Sequence, residues 1–137
     1  MTTPPATIPT EPVPTATTAP EATGSSPTLW GHIALALTWL DAANPRTDHE
    51  TAMRLMKVSE ECGEAVAAYI GMTGQNPRKG FTHTLDDLSG ELCDVAISAL
   101  VALATLTGDA HTAETHLTAH LSRRYPRLVT LLENAHV

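Results

Sequence analysis

Two short stretches carry the residues best suited to chemistry. The first is Lys57-Val58-Ser59-Glu60-Glu61-Cys62-Gly63-Glu64, and the second is Glu91-Leu92-Cys93-Asp94. Residues three apart project from one face of a helix, so Glu61 pairs with Glu64, and Glu91 with Asp94. If the two helices pack antiparallel, the pairs face each other. Four carboxylates held together either raise one another's pKa values or take up a cation. Oxygen-only ligands suit magnesium, which keeps positions for water and phosphate oxygens, and argue against zinc or copper. Manganese is a possible substitute. Asp94 opens the apolar run Val95–Leu103, where an unpaired ionised carboxylate would be costly. Glu60 is equally readable as a solvated acid or as a supporting group.

The cations are few: Lys and Arg together number eight. Arg78 and Lys79 sit in the loop Gly74-Gln75-Asn76-Pro77-Arg78-Lys79-Gly80 and suit phosphate oxygens as well as they suit a solvated turn. Lys57 is a further phosphate candidate, although it also stands four residues before Glu61 as a helix-surface partner. The loop lacks the spacing and the Gly-Lys-Ser/Thr end of a Walker motif. Apart from Tyr125 near the C-terminus, Trp30, Trp39, Tyr69 and Phe81 are the aromatics that could stack on a base; each reads by default as core, and Trp30 is kept as the base-pocket candidate. Cys62 and Cys93 read as small buried packing residues. His116 and His120 have a metal-ligand spacing but no acidic partner, which favours a solvated face. Glu133-x-x-His136 has no second copy, which disfavours a di-iron bundle.

These groups need helices to position them. Trp30, Ile33, Leu37 and Leu40 recur at helical spacing and predict a first helix to about Ala43. Asn44-Pro45 ends it. Thr47 and Glu50 form a Thr-x-x-Glu capping box for a second helix, about Asp48 to Ile70, with Leu55, Val58, Cys62, Val66 and Tyr69 on its apolar side and Gly71 and Gly74 ending it. Thr84 and Asp87 cap a third helix, Leu85 to about Leu106, whose later half is apolar on nearly every side, as in a central buried helix. Asp109 caps a fourth helix reaching about Arg124; Pro126 interrupts it, and Leu128, Leu131 and Leu132 suggest a short fifth. The expected fold is an all-α bundle of four to five helices, completed by oligomerisation that covers the apolar sides of the second and third helices.

Composition agrees. Of 137 residues only 4% are aromatic, which suits packed helices over strands. The formal net charge of −7 offers no basic stripe for a nucleic-acid polymer. Residues 1–27 hold seven of the ten prolines and read as a disordered Pro/Thr/Ala-rich tail before a domain over 28–137. No secretory signal and no uninterrupted membrane-length apolar stretch stand out, so no membrane association is expected. With two cysteines and no CxxC motif, the chain reads as cytoplasmic with reduced thiols.

The acidic stretches resemble the MazG-like all-α nucleotide pyrophosphohydrolases, whose signature is E-E-x-x-E, a spacer, then E-x-x-D. Here the spacer is residues 65–90, and the resemblance spans roughly residues 29–107. It implies a helical bundle, dimeric or built from dimers, that hydrolyses a nucleoside triphosphate to monophosphate and pyrophosphate. Glu61, Glu64, Glu91 and Asp94 would hold the metal, and Glu60 would orient or activate the attacking water. The chemistry suits the residues, because phosphoryl transfer needs charge neutralisation and positioning more than a covalent nucleophile. The alternative is a non-catalytic module of the same type that binds a nucleotide or a protein.

Overall fold

The computed structural model describes residues 28–135. The expected disorder of residues 1–27 lies outside the described residues, as does His136. Four helices follow in order: α1 (Leu29–Ala43), α2 (Asp48–Thr73), α3 (Leu85–Thr107) and α4 (Ala110–Ala135). No strand occurs among the described residues.

Local chemistry sets the helix ends. Thr28 accepts a hydrogen bond from the Gly31 amide, and Thr84 and Asp87 form a complete reciprocal capping box. Asp109 accepts from the Thr112 amide at 2.7 Å. At α2 only half the expected box forms. Thr47 accepts from the Glu50 amide, but the Glu50 carboxylate turns to the Arg54 guanidinium instead, at 2.9 Å.

The second helix runs past Ile70 to Thr73 because Gly74, with φ of 62°, adopts the left-handed cap. Gly71 stays helical and has a different role. Its carbonyl accepts from the Thr82 amide at 3.0 Å, and a Cβ there would collide with the side chains of Thr82 and His83.

The expected break at Pro126 is corrected, since α4 is continuous to Ala135. Proline deprives the Ser122 carbonyl of its helical partner. Ser122 is exposed, so water can satisfy that carbonyl, and the fifth helix is simply the end of the fourth.

Ile33 and Leu37 of α1, Val101 and Ala104 of α3, and Ala110 and Ala113 of α4 form the core. Arg54 lies against Thr105, Glu61 and Glu64 against Glu91, and Gly71 against Thr82. Numbers that rise on one helix as they fall on the other make α2 and α3 antiparallel. The α2 face turned to α3 is Arg54, Glu61, Ala65, Ala68 and Gly71. Small residues allow close approach, and they displace the expected apolar side. Leu55, Cys62, Val66 and Tyr69 are exposed, as are Leu85, Leu92 and Leu106 of α3.

Helix α3 is central, packing on all three others, but its burial is confined to Val101, Ala102, Ala104 and Thr105. It also meets the length and composition of a membrane span, with a mean hydropathy of 1.6. The expectation of no such stretch therefore holds only for uninterrupted runs, because Glu91 and Asp94 punctuate this helix.

Candidate acidic metal centre

Three of the four candidate ligands converge. Carboxylate oxygens of Glu61, Glu64 and Glu91 lie within 4.8 Å of one another. Glu61 is buried in the α2–α3 seam, Glu91 is half-buried and Glu64 is exposed. The i, i+3 spacing brings Glu61 and Glu64 to one side of α2, and the antiparallel register brings Glu91 level with them.

Asp94 lies outside this group and is exposed. One turn beyond Glu91, with one methylene fewer, it does not reach the same point. The expected cost of burying it does not arise in the single chain.

The cluster is under like-charge stress. The Glu64 carboxyl is pushed above the ordinary glutamate range by desolvation and then by the charges of Glu61, Glu91 and Glu60. One cation answers the acids. Lys57 donates to Glu61 at 2.8 Å and also pairs with Glu60, and these hydrogen bonds hold its ammonium above the usual lysine range. Glu60 is exposed and turned to Lys57.

The other candidates stand apart. Trp30 packs against the core cluster. Arg78 and Lys79 are exposed in the α2–α3 loop. Lys79 shares a small pocket with Ala67, Gly71 and His83, beyond Glu64 along α2. Cys62 and Cys93 are free and exposed rather than buried.

A cavity of about 510 Å³ opens between α1, α2 and α3 beside the cluster, and Lys57 belongs to both. Trp39, Met53, Arg54, Ser98 and Val101 line it. Sequence reasoning missed Arg54 and read Trp39 as a core residue, whereas Trp39 is exposed at the cavity mouth. The available signal was the series Glu50, Arg54, Lys57, Glu61, Glu64, whose steps of three and four residues put all five along one side of α2.

Arg54 is the most constrained polar residue here. Its Nε donates to Glu50 at 2.9 Å, and its Nη1 donates to Asp41 at 2.9 Å and to Thr105 at 3.1 Å. Its Nη2 is buried and has no partner among the described residues. A donor left in that state costs about 1–3 kcal/mol. Arg46 chelates Asp41 from the other side and donates to the Gly108 carbonyl at 2.6 Å. The hydrogen bond from Arg46 and that from Arg54 hold the Asp41 carboxyl below its usual range against some desolvation.

No family model, curated protein or solved structure matches the chain. The chemistry of the site therefore rests on its own residues.

Proposed function

We propose that the protein is a magnesium-dependent nucleotide pyrophosphohydrolase, with manganese as a substitute, that cleaves a nucleoside triphosphate to monophosphate and pyrophosphate. The convergence of Glu61, Glu64 and Glu91 carries this reading. The oxygen-only donor set and the raised Glu64 both favour uptake of a hard divalent cation.

When bound, the metal supplies charge neutralisation for phosphate oxygens and a lowered pKa for water. The chain supplies the rest. Glu61, buried in the α2–α3 seam, is a rigid anchor. Glu60 is free to exchange Lys57 for a water molecule and to accept its proton. Lys57 would then turn from the acids to the phosphates. Asp94 would join the ligand set through a side-chain rearrangement or a bridging water. On this proposal the protein acts as a MazG-like dimer or dimer of dimers.

The test is pyrophosphate release from a panel of natural and modified nucleoside triphosphates, with and without magnesium. Wild type should release pyrophosphate only with the metal, and Glu61→Gln, Glu91→Gln and Asp94→Asn should each lose at least about tenfold to a hundredfold. No release from any nucleotide by a folded protein that binds magnesium would overturn the hydrolase reading and leave a non-catalytic binding module.

A further inference from the structure

We infer that the outer half of α4 docks on a second copy of this chain, along the uncovered acidic side of the second copy's α3.

Helix α4 outruns the core that holds it. Its buried residues are Ala110 and Ala113, and from Thr118 to Ala135 every residue except Val129 is exposed. That arm is about 27 Å long. A lone helix of this length is marginal in water, because helices gain most of their stability by packing an apolar side. The arm has such a side. Leu121, Tyr125, Leu128 and Leu132 follow one another at steps of four, three and four residues, the seam pattern of paired helices. Each of them is more than half exposed.

Charge indicates what covers it. Between Glu114 and Glu133 the arm has no acid, yet Arg123, Arg124 and Arg127 make up three of the chain's eight Lys and Arg residues. None of the three forms an ion pair among the described residues. The complement is on α3, which carries Asp86, Asp87, Glu91 and Asp94 and no cation. Asp86, Gly90, Cys93 and Ile97 follow one another along one side of that helix. Ile97 packs against the core cluster, whereas Asp86, Gly90, Cys93 and the neighbouring Asp94 are bare. A Cβ at Gly90 would meet nothing within 4 Å, so a helix has room to approach there. The arm does not fill this place in its own chain, since α4 is continuous and its burial ends after the first turns.

Other occupants fit less well. Two arms paired symmetrically along their whole length would centre near Pro126 and set the arginines of both copies together, and like charges juxtaposed at a contact are costly. An anionic lipid surface would repel a chain of net charge −7. A second copy brings acids to the arginines, and reciprocal exchange makes the contact twice and closes the assembly.

The experiment co-expresses two full-length copies that differ in mass by a tag. One carries Cys62→Ser and keeps Cys93 on α3. The other carries Cys62→Ser, Cys93→Ser and Ser122→Cys, which places its only thiol beside the arginines. A short bismaleimide should join the two copies into a product of mixed mass. Arg124→Glu with Arg127→Glu in the second copy should lower its yield at least about tenfold, and Asp86→Lys with Asp94→Lys in the first should regain it. Both arginines are exposed and outside the core, so their reversal should leave the far-UV helical signal unchanged. A mixed product absent from the parent pair, unchanged by the arginine reversal or not regained in the swapped pair would each overturn the proposal. So would flotation of the protein on phosphatidylserine vesicles, lost on arginine reversal and without mixed product, which would give α4 to a lipid surface instead. The cross-link needs neither metal nor nucleotide, so it stands or fails independently of pyrophosphate release.

Discussion

Glu64 is the residue whose state depends most on a bound cation. Its folded-state pKa is raised, so its neutral form is favoured by folding and its ionised form is not. The associated stability is fully present below the unfolded value and is lost as pH rises through the folded one. At neutral pH the metal-free protein therefore carries a penalty that Glu64→Gln removes. The variant should melt at the same or a higher temperature than wild type without metal, and should lose the magnesium-induced rise in Tm. An undiminished rise would show that magnesium binds elsewhere. In wild type, magnesium affinity should begin to fall at a higher pH than an ordinary carboxylate predicts, and calorimetry in buffers of different ionisation enthalpy would detect the released protons. Asp41 shows the opposite sign. Its pKa is lowered, so its contribution is present above the unfolded value and is lost as pH falls through the folded one. Asp41→Asn should cost about 2 kcal/mol at neutral pH, the scale of hydrogen bonds to a charged group, and the gap to wild type in denaturant titrations should close in strong acid.

Among the elements, those with explicit punctuation were legible in the sequence. Thr47, Thr84 and Asp109 are where the helices start, and Thr84→Ala should cost about 1 kcal/mol of stability in thermal melts. Gly71 misled because a glycine inside a helix reads as a stop, and only the approach of Thr82 and His83 reveals its packing role. Pro126 misled similarly, since its local cost does not say whether an exposed helix tolerates a freed carbonyl. The two readings of α4 separate experimentally. Pro126→Ala should stabilise the protein by up to about 3 kcal/mol with unchanged far-UV helical signal, because residues on both sides are already helical. A gain of helical signal would restore the break. The acidic centre divides the same way. The i, i+3 spacing was readable, but the third dimension was not. Whether Asp94 joins Glu91 depends on side-chain reach across a seam, and Trp39 and Arg54 come to one cavity only because α1 and α2 both pack on α3.

For the whole molecule, the single chain leaves unburied much of the apolar surface its sequence invests in α2 and α3. Leu55, Val66 and Tyr69 are 47%, 60% and 55% exposed, and Leu85, Leu92 and Leu106 are 67%, 56% and 60% exposed. On α2 these residues recur at helical spacing, and on α3 they are seven and fourteen residues apart, so each set forms a stripe along one side. In an antiparallel pair, stripes displaced in the same rotational sense from the shared seam lie on one side of the pair. Both are displaced that way, and together they form one face. A patch of this size and continuity is unusual on a monomer. A twofold pairing of it would bury identical surfaces and close the assembly. The acidic centre lies on the other side of the seam, where α1 leaves it open. The prediction is a dimer at micromolar concentration by sedimentation equilibrium, weakened about a hundredfold or more by Leu92→Glu. Two copies of the substitution each forfeit the burial of a leucine, about 1.5–3 kcal/mol, and each places a charge in an apolar contact. The same variant should keep the fold of the single chain, because Leu92 makes no part of the Ile33–Ala113 core. A wild-type monomer at that concentration would leave the face without a second copy to cover it, and a dimer indifferent to Leu92→Glu would place the contact elsewhere.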